Sequence, residues 1–514
     1  VDGRRDARAA ARVGAGIFLS RLAGFVRERV TGYYFGTSGF ADAWRVALRT
    51  PNVLQNLLGE GTLSASFIPV YAELLEEGRE EEAGRFAGAA LGILMVVAGT
   101  LVLLGVLLAP WLVAVLVWRW DADKQALTVQ LIRILFPMTG ILVVSAWALG
   151  VLNTHRRFFM SYVAPVFWNL AQIAALVAGG LYLGLGERDL VVLLAWGALV
   201  GGVLQFGVQL PVAVPYLRHF RLSLGKGVAG VAEAIRNFGP VVAARGAVNI
   251  SGWLDMFLAG MLAEGAVAAM GYAQTFYLLP ISLFGMSVAA SELPELSRMR
   301  QHDKEVLARR VAVALRRVSY FLIPSAIGYL FLGDVVVAAL YETGAFGSTQ
   351  TLVTWGVLGA YALGLTASAR SRVLSSAYYA IRDTRTPARL ATLRVVVSAV
   401  VGVALMFPLD RWGFQRLHLG GAGLALGASV GAWLEYGLLR RALTVRIGPH
   451  GPPTPDLVRM TLAAALAAGA GVGLQLVLPT ASPVVQALET LIPFGVVYLS
   501  VAAALGLGLP RARG

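Results

Sequence analysis

An all-α integral membrane protein with fourteen membrane-crossing helices is the fold class this sequence predicts, and three observations predict it. Of the 514 residues, 57% are hydrophobic and only 14% charged, whereas about a quarter are charged in an average soluble domain. Mean hydropathy is +0.70. Apolar runs of about 18 to 25 residues, enough for the ~20 that one span needs, recur between charged or Pro/Gly-rich breaks. That many runs exclude a soluble enzyme with one anchor.

Taken in order, the first runs centre near residues 20, 48, 100, 140, 172 and 202, and a basic break follows. The second series centres near 250, 277, 328, 364, 398, 431, 468 and 496, with polar residues interrupting the second and the eighth to tenth runs. The longest hydrophilic stretches are Tyr71 to Arg85, Pro215 to Arg236 and Glu292 to Arg317. Each suits a loop or an amphipathic interfacial helix. An internal echo links the two series: Asp42 precedes Pro51 by the nine residues that separate Gly271 from Pro280, and charged segments at Pro69 to Glu77 and Pro294 to Arg300 follow. Transporters are often built from such repeats. The chain begins at Val1, and Arg4, Arg5, Arg8 and Arg12 lead into a glycine-rich run without a small-residue cleavage site, the pattern of a trimmed start and not of a signal peptide.

The formal charge of +14 comes from 43 Lys and Arg against 29 Asp and Glu. In a soluble protein this would suggest nucleic acid; here the positive-inside rule accounts for it. With the N-terminus cytoplasmic, 29 of the basic residues fall in the termini and even-numbered connections, eight in odd-numbered ones and six inside spans. The even number of spans then returns the C-terminus to the cytoplasm. No nucleic-acid partner is expected.

Enzymatic constellations are missing. His155, His219, His302, His418 and His450 fall one per connection, so no two share a helix face as a metal site of the HExxH type needs. No GxxxxGK[ST] phosphate loop and no GxSxG elbow occur. Cysteine is absent, which removes disulfides and thiolate ligands. The sequence predicts a transporter that uses neither metal nor cofactor, an intramembrane enzyme being the alternative.

Ionisable groups at membrane depth cost about 2.5 to 3.5 kcal/mol each on insertion scales and mark functional positions. Asp42, Arg45, Arg49, Asn52 and Asn56 follow a spacing of three or four and share one helix face, as do Ser20, Arg21, Gly24, Arg27 and Glu28. The seventh span carries Arg245, Asn249 and Asp255, and the tenth Ser368, Arg370, Arg372 and Ser376. A path lined by these groups would be water-filled and cationic, suited to an anion whose phosphate oxygens match the guanidinium fork. The alternatives are pairing of Asp42 with Arg45 and Arg49 and snorkelling of Arg27, Arg45 or Arg372 at an interface. The last two spans, Leu457 to Leu478 and Val484 to Leu507, are almost wholly apolar and read as lipid-facing or as the border of a lipid-tail groove.

SRLAGFVRE at 20–28, FADAW at 40–44, PNVLQNLLGEGTLSASFIPVYAE at 51–73, LNTHRRF at 152–158, APVFWN at 164–169 and RDTRTP at 382–387 resemble the MurJ (MviN) family of the multidrug/oligosaccharidyl-lipid/polysaccharide exporter superfamily. The resemblance is collinear over nearly the whole chain. It implies a flippase that moves lipid II, the undecaprenyl-diphosphate-linked peptidoglycan precursor, from the inner to the outer leaflet of the cytoplasmic membrane by alternating access. It also implies two six-helix lobes around a central cavity, 1–214 and 215–446, and a final pair at 447–514 forming a tail groove. Expected partners are lipid II, membrane lipids and proteins of cell-envelope synthesis. The family's first-helix arginines match Arg21 and Arg27, its following acid Glu28 and its second-helix acid Asp42. Two family arginines fall instead at Gln55 and at Thr275, beside Gln274. Arg45, Arg49, Arg245 and Arg370 are therefore expected to supply the displaced charge beside Ser20, Asn52 and Asn249, with Glu28, Asp42 and Asp255 as gating or ion-coupling acids. Coupling to membrane potential or a monovalent ion is compatible with this. The alternatives are a transporter of another polyprenyl-diphosphate-linked glycan and a cation-coupled drug antiporter, which would be expected to show an acidic cavity.

Overall fold

Without water to satisfy backbone N–H and C=O groups at membrane depth, an apolar run must close its hydrogen bonds within itself, which only a helix or a closed barrel can do. The computed structural model describes residues 2–285, 304–411, 417–478 and 482–508, apart from the side chains of 2–14, 240, 243–245, 247–251 and 285. Among the described residues the regular elements are helices: α1 Asp2–Phe35, α2 Gly39–Leu58, α3 Glu60–Glu76, α4 Glu80–Leu116, α5 Ala122–Thr154, α6 Phe158–Val177, α7 Glu187–Ala213, α8 Val231–Ala259, α9 Ala266–Pro280, α10 Lys304–Tyr341, α11 Ser348–Ala380, α12 Arg385–Arg411, α13 Gly420–Ile447, α14 Thr454–Val477 and α15 Pro483–Ala504. Eleven of them are long and apolar enough to cross a membrane, so the chain is a multi-pass membrane protein. Helices α1, α2, α3 and α8 fall outside those eleven, and they hold most of the charged positions singled out above.

Packing divides the chain into two units, Val1–Met261 and Leu262–Gly514. Helix α8 goes with the first through its contacts with α2, α3 and α4.

In the first unit α5 is the axis, packed against α2, α4 and α7. Buried polar pins hold it: Trp147 Nε1 donates to the Ala87 carbonyl at 3.1 Å, and Ser145 Oγ to Gln209 Oε1 at 3.0 Å. The run centred near residue 48 is α2, and a further helix, α3, follows it; the two meet at Gly59. A Cβ at Gly59 would lie 2.2 Å from the Gln55 carbonyl oxygen, so the chain turns there only because the side chain is missing. The hydrophilic stretch from Tyr71 to Arg85 is mostly helical, with Glu77 to Arg79 alone between α3 and α4.

The stretch from Pro215 to Arg236 is irregular from 217 to 230 and helical from Val231. Its middle lies along α4, where Gly84, Gly88 and Gly92 form a groove. Added Cβ atoms would come within 2.7 Å of His219, 2.1 Å of the Arg221 carbonyl oxygen and 2.1 Å of the Ser223 carbonyl oxygen. Helix α8 then starts at Val231, after Gly230 at φ +79°.

In the second unit α11 is the axis, between α10 and α13. Helices α14 and α15 pack together and against α10 through alanines 463, 464 and 467. Tyr498 Oη donates to the Tyr320 carbonyl at 2.5 Å, and Arg316 Nε pairs with Asp456 at 2.6 Å. Leu462, Leu466, Leu488, Ile492 and Val496 stay exposed on this pair.

The two units share a local feature stronger than the proline echo, whose second charged segment, 294–300, lies outside the described residues. Helix α5 ends with Arg156 at φ +58° and α11 with Arg382 at φ +59°, the two non-glycine residues at positive φ among the described residues. In each, the arginine N–H returns to the carbonyl three residues back at 3.0 Å, and the next N–H to the carbonyl five back at 2.9 Å. This closes both helices with the same left-handed cap.

Candidate functional site

In the first unit the charged faces of α1 and α2 meet around one carboxylate. Glu28 is buried, and its two oxygens receive Arg27 Nη2 at 2.6 Å and Arg45 Nη2 at 2.5 Å. Arg27 also lies over the Trp168 ring of α6, 4.9 Å from its centroid. Two guanidinium groups on one carboxylate leave a net positive charge, the electrostatic condition for holding an anion.

Asp42 is engaged by a helix that the sequence reading did not name. It is 1% exposed and takes Lys124 Nζ of α5 at 2.9 Å, with that ammonium 3.9 Å from the centroid of Trp120. Arg49, half-buried, reaches α8, where its Nη2 would be 2.7 Å from a Cβ at Gly252. Asn52 is one turn further along α2, and Asp255 one turn beyond Gly252 on α8; both are half-buried. On α1, Ser20 is half-buried and Arg21 exposed, with Arg21 engaged in polar contacts. The side chains of Arg245 and Asn249 lie outside the described residues.

Arg370 is packed more deeply than its expected place on a water-filled path: it is 6% exposed, wedged inside the second unit. Its Nε donates to Ser319 Oγ of α10 at 3.0 Å, and its guanidinium lies 5.7 Å from the Tyr436 ring centroid on α13. Apolar residues of α10, α11 and α13 pack around this group.

The sequence reading missed a second polar assembly in that unit. Arg394 Nη1 of α12 pairs with Glu435 of α13 at 2.9 Å, and its Nη2 is 3.4 Å from Ser368 Oγ. Tyr277 of α9 donates to the same Ser368 oxygen at 2.8 Å, and Gln274 Nε2 donates to Tyr361 Oη at 3.0 Å. Gln274 is thereby tied to Tyr361, whose ring centroid is 5.1 Å from that of Tyr277. An available signal was Glu435 itself, a carboxylate inside an apolar run and costly there without a partner. Lys124 was hidden for a different reason: its place at the start of α5 made it look like a connection residue.

No group of three or more His, Cys, Asp or Glu able to hold a metal occurs among the described residues. The first unit's cluster can bind and orient an anion; it contains no nucleophile paired with a base.

A family model described as lipid II flippase MurJ matches residues 31–495. A probable lipid II flippase MurJ of Rhizobium tropici is 32% identical over 439 residues, covering 82% of this chain and 78% of the relative. The lipid II flippase MurJ of Burkholderia cenocepacia is 31% identical over 441 residues, covering 83% and 82%. Among solved structures, a lipid II flippase MurJ in an inward closed conformation superposes with a TM-score of 0.77 at 23% identity, covering 97% of this chain and 99% of the other. An inward-facing multidrug resistance MATE transporter of the MOP superfamily gives 0.64 at 16% identity, covering 85% and 98%. At these identities the structural likenesses speak for the fold.

Proposed function

The chain belongs to the lipid II flippase MurJ family, and from that premise we propose that it carries lipid II from the inner to the outer leaflet of the cytoplasmic membrane. It is a transporter, not an enzyme. The observation that carries the binding chemistry is the arrangement of Arg27 and Arg45 on one buried carboxylate. The headgroup's phosphates, amides and hydroxyls each cost several kcal/mol if left unpaired in hydrocarbon. Arg21, Arg27, Arg45, Arg49 and Arg245, with Ser20, Asn52 and Asn249, replace water for the diphosphate. Glu28 holds Arg27 and Arg45 extended toward it, and Asp42 and Asp255 are the acids through which coupling to an ion would run. The prenyl tail stays in the bilayer, against the apolar α14–α15 pair. Residues 1–214 and 215–446 act as the two lobes of an alternating-access cycle, with both termini cytoplasmic as the basic connections favour.

Membrane potential suffices as the driving force. A diphosphate carrying about two negative charges gains roughly 4.6 kcal/mol per 100 mV on moving outward from a negative interior, at ~2.3 per charge. Lipid II is the reading over another polyprenyl-diphosphate glycan, and proteins of cell-envelope synthesis are the expected neighbours.

The test is complementation of a flippase-depleted strain together with lipid II translocation in proteoliposomes. Arg27→Ala plus Arg45→Ala is expected to abolish both while the protein still accumulates in the membrane; unimpaired growth and flipping refute the reading. Equal transport of a polyprenyl-diphosphate glycan with another headgroup rejects lipid II specificity.

A further inference from the structure

We propose that the corner where α5 ends and α6 begins is a binding site for an anionic phospholipid of the cytoplasmic leaflet, separate from the transport site; its sidedness rests on the orientation given above. A cleft of about 330 Å³ opens there, lined by Arg157, Phe159, Met160 and Val212. Three of the four side chains are apolar and one is cationic, the chemistry of an acyl chain below an anionic headgroup. Phe158, Phe159 and Val214 are exposed beside it, as lipid-facing groups at a membrane boundary are.

The basic side of the corner is uncompensated. Arg157 Nε donates to Tyr216 Oη at 2.8 Å, which orients the guanidinium and leaves both terminal nitrogens available. Arg156 has no acidic partner among the described residues, nor has Arg157. Arg218 follows two residues after Tyr216 and is exposed. Of the glutamates around the α3–α4 turn, Glu77 and Glu82 hold Arg79 and Glu81 holds Arg85.

The matching corner of the second unit shows what such a place does when the chain supplies its own anion. The residue after the left-handed arginine is there Asp383. Its carboxylate accepts from the Arg385 and Thr386 N–H groups at 3.0 Å, from Thr386 Oγ1 at 2.6 Å and from the guanidinium of Arg446. At the equivalent position the first unit carries Arg157. One corner is closed by an internal carboxylate, and the other presents cations over an apolar cleft. A phosphodiester supplies the missing oxygens, and only a lipid brings the hydrocarbon to fill the cleft.

The test uses full-length protein in phosphatidylcholine nanodiscs doped with a phosphatidylglycerol probe bearing a diazirine on its acyl chain, and in parallel with the phosphatidylcholine version of that probe. Crosslinked residues are mapped by mass spectrometry. Near-surface arginines attract anionic lipid by about fivefold each, so roughly 25-fold more labelling by the anionic probe is expected within 157–162 and 212–218 for the two arginines. Arg156→Gln plus Arg157→Gln is expected to remove that preference. Met160→Trp, which fills the cleft and keeps the charge, is expected to move the label elsewhere. Equal labelling by the two probes, a preference unchanged in the arginine double variant, or label spread evenly over the perimeter overturns the proposal. So does displacement of the label by undecaprenyl diphosphate, which would make the corner a substrate site. Should a variant fail to fold, the comparison of the two probes on the unaltered protein still decides. Flipping is not part of the readout, so failure here is separate from failure of the transport reading.

Discussion

Replacing Asp42 by Asn separates the structural role of this acid from a coupling role. Asp42 Oδ2 and Lys124 Nζ are 2.9 Å apart and almost fully shielded. At an effective dielectric of about 20 their attraction is about 6 kcal/mol, most of which offsets the cost of taking both charges out of water. Removing one partner leaves the other buried and charged, a loss of about 3 to 5 kcal/mol. For Asp42→Asn the loss falls at the lower end, because the Trp120 face still contributes up to ~2 kcal/mol to holding the ammonium. Lys124→Met falls at the upper end, because it removes the ammonium from a carboxylate that is 1% exposed. Asp42→Asn with Lys124→Met recovers about 2 to 3 kcal/mol relative to the sum of the single changes. Denaturant titration in micelles, followed by tryptophan fluorescence, measures all four corners of the cycle. Single variants that each lose under about 1 kcal/mol would falsify the buried-pair account. The stable double variant then reports on function: full complementation makes Asp42 a structural residue, and loss of flipping in a folded protein assigns it to the transport cycle.

Three further outcomes follow from the geometry. Gly88→Ala places a methyl group 2.1 Å from the Arg221 backbone oxygen; because the obstacle is backbone, a loss toward the upper end of about 1 to 3 kcal/mol is expected in the same titration, and Gly99→Ala, with nothing within 4 Å, is expected to be neutral or stabilising. His155 stacks on Tyr216 at 4.1 Å, and burial, aided by the Arg157 charge, pushes its pKa below the ordinary value. The unfolded chain therefore takes up the proton first, so the corner's contribution is complete above about pH 6.5 and is lost as pH falls from there through the lowered folded value; His155→Phe is expected to flatten that dependence. At the other corner, the Thr386 hydroxyl and N–H, with Arg446, hold Asp383 well below the usual carboxylate range. Its contribution is present above about pH 4 and is lost only in stronger acid, so unfolding measured between pH 5 and 8 is expected to be insensitive to Asp383→Asn in slope although not in absolute value.

The helical fold was legible because the apolar run length carries it, and the same pattern located the eleven strongly apolar spans. What the pattern could not show is where a helix breaks. The division at Gly59 depends on a carbonyl one turn back, and the docking of His219 to Ser223 depends on glycines more than 120 positions away. The site was legible in part: Arg27, Glu28 and Arg45 do come together, since spacings of three and four put them on facing stripes. The packing of Arg370 against α10 and α13 was not legible, because spacing gives a helix face but not the neighbour it faces. Lys124, Arg394 and Glu435 went unseen for the complementary reason that each is conspicuous only beside its partner.

The glycine groove of α4 has a metrical consequence. Four helical residues advance about 6.0 Å and two extended residues about 6.6 Å, so glycines spaced by four keep step with carbonyls spaced by two, and over three contacts the mismatch stays near 1 Å. The connection before α8 is thereby read out against α4 like a vernier. Adding or deleting one residue between Phe220 and Gly225 would turn side chains toward the groove where backbone now lies, which it has no room to receive. A tether that looks like slack chain in the sequence is held to a fixed length, and α8 starts where that length runs out.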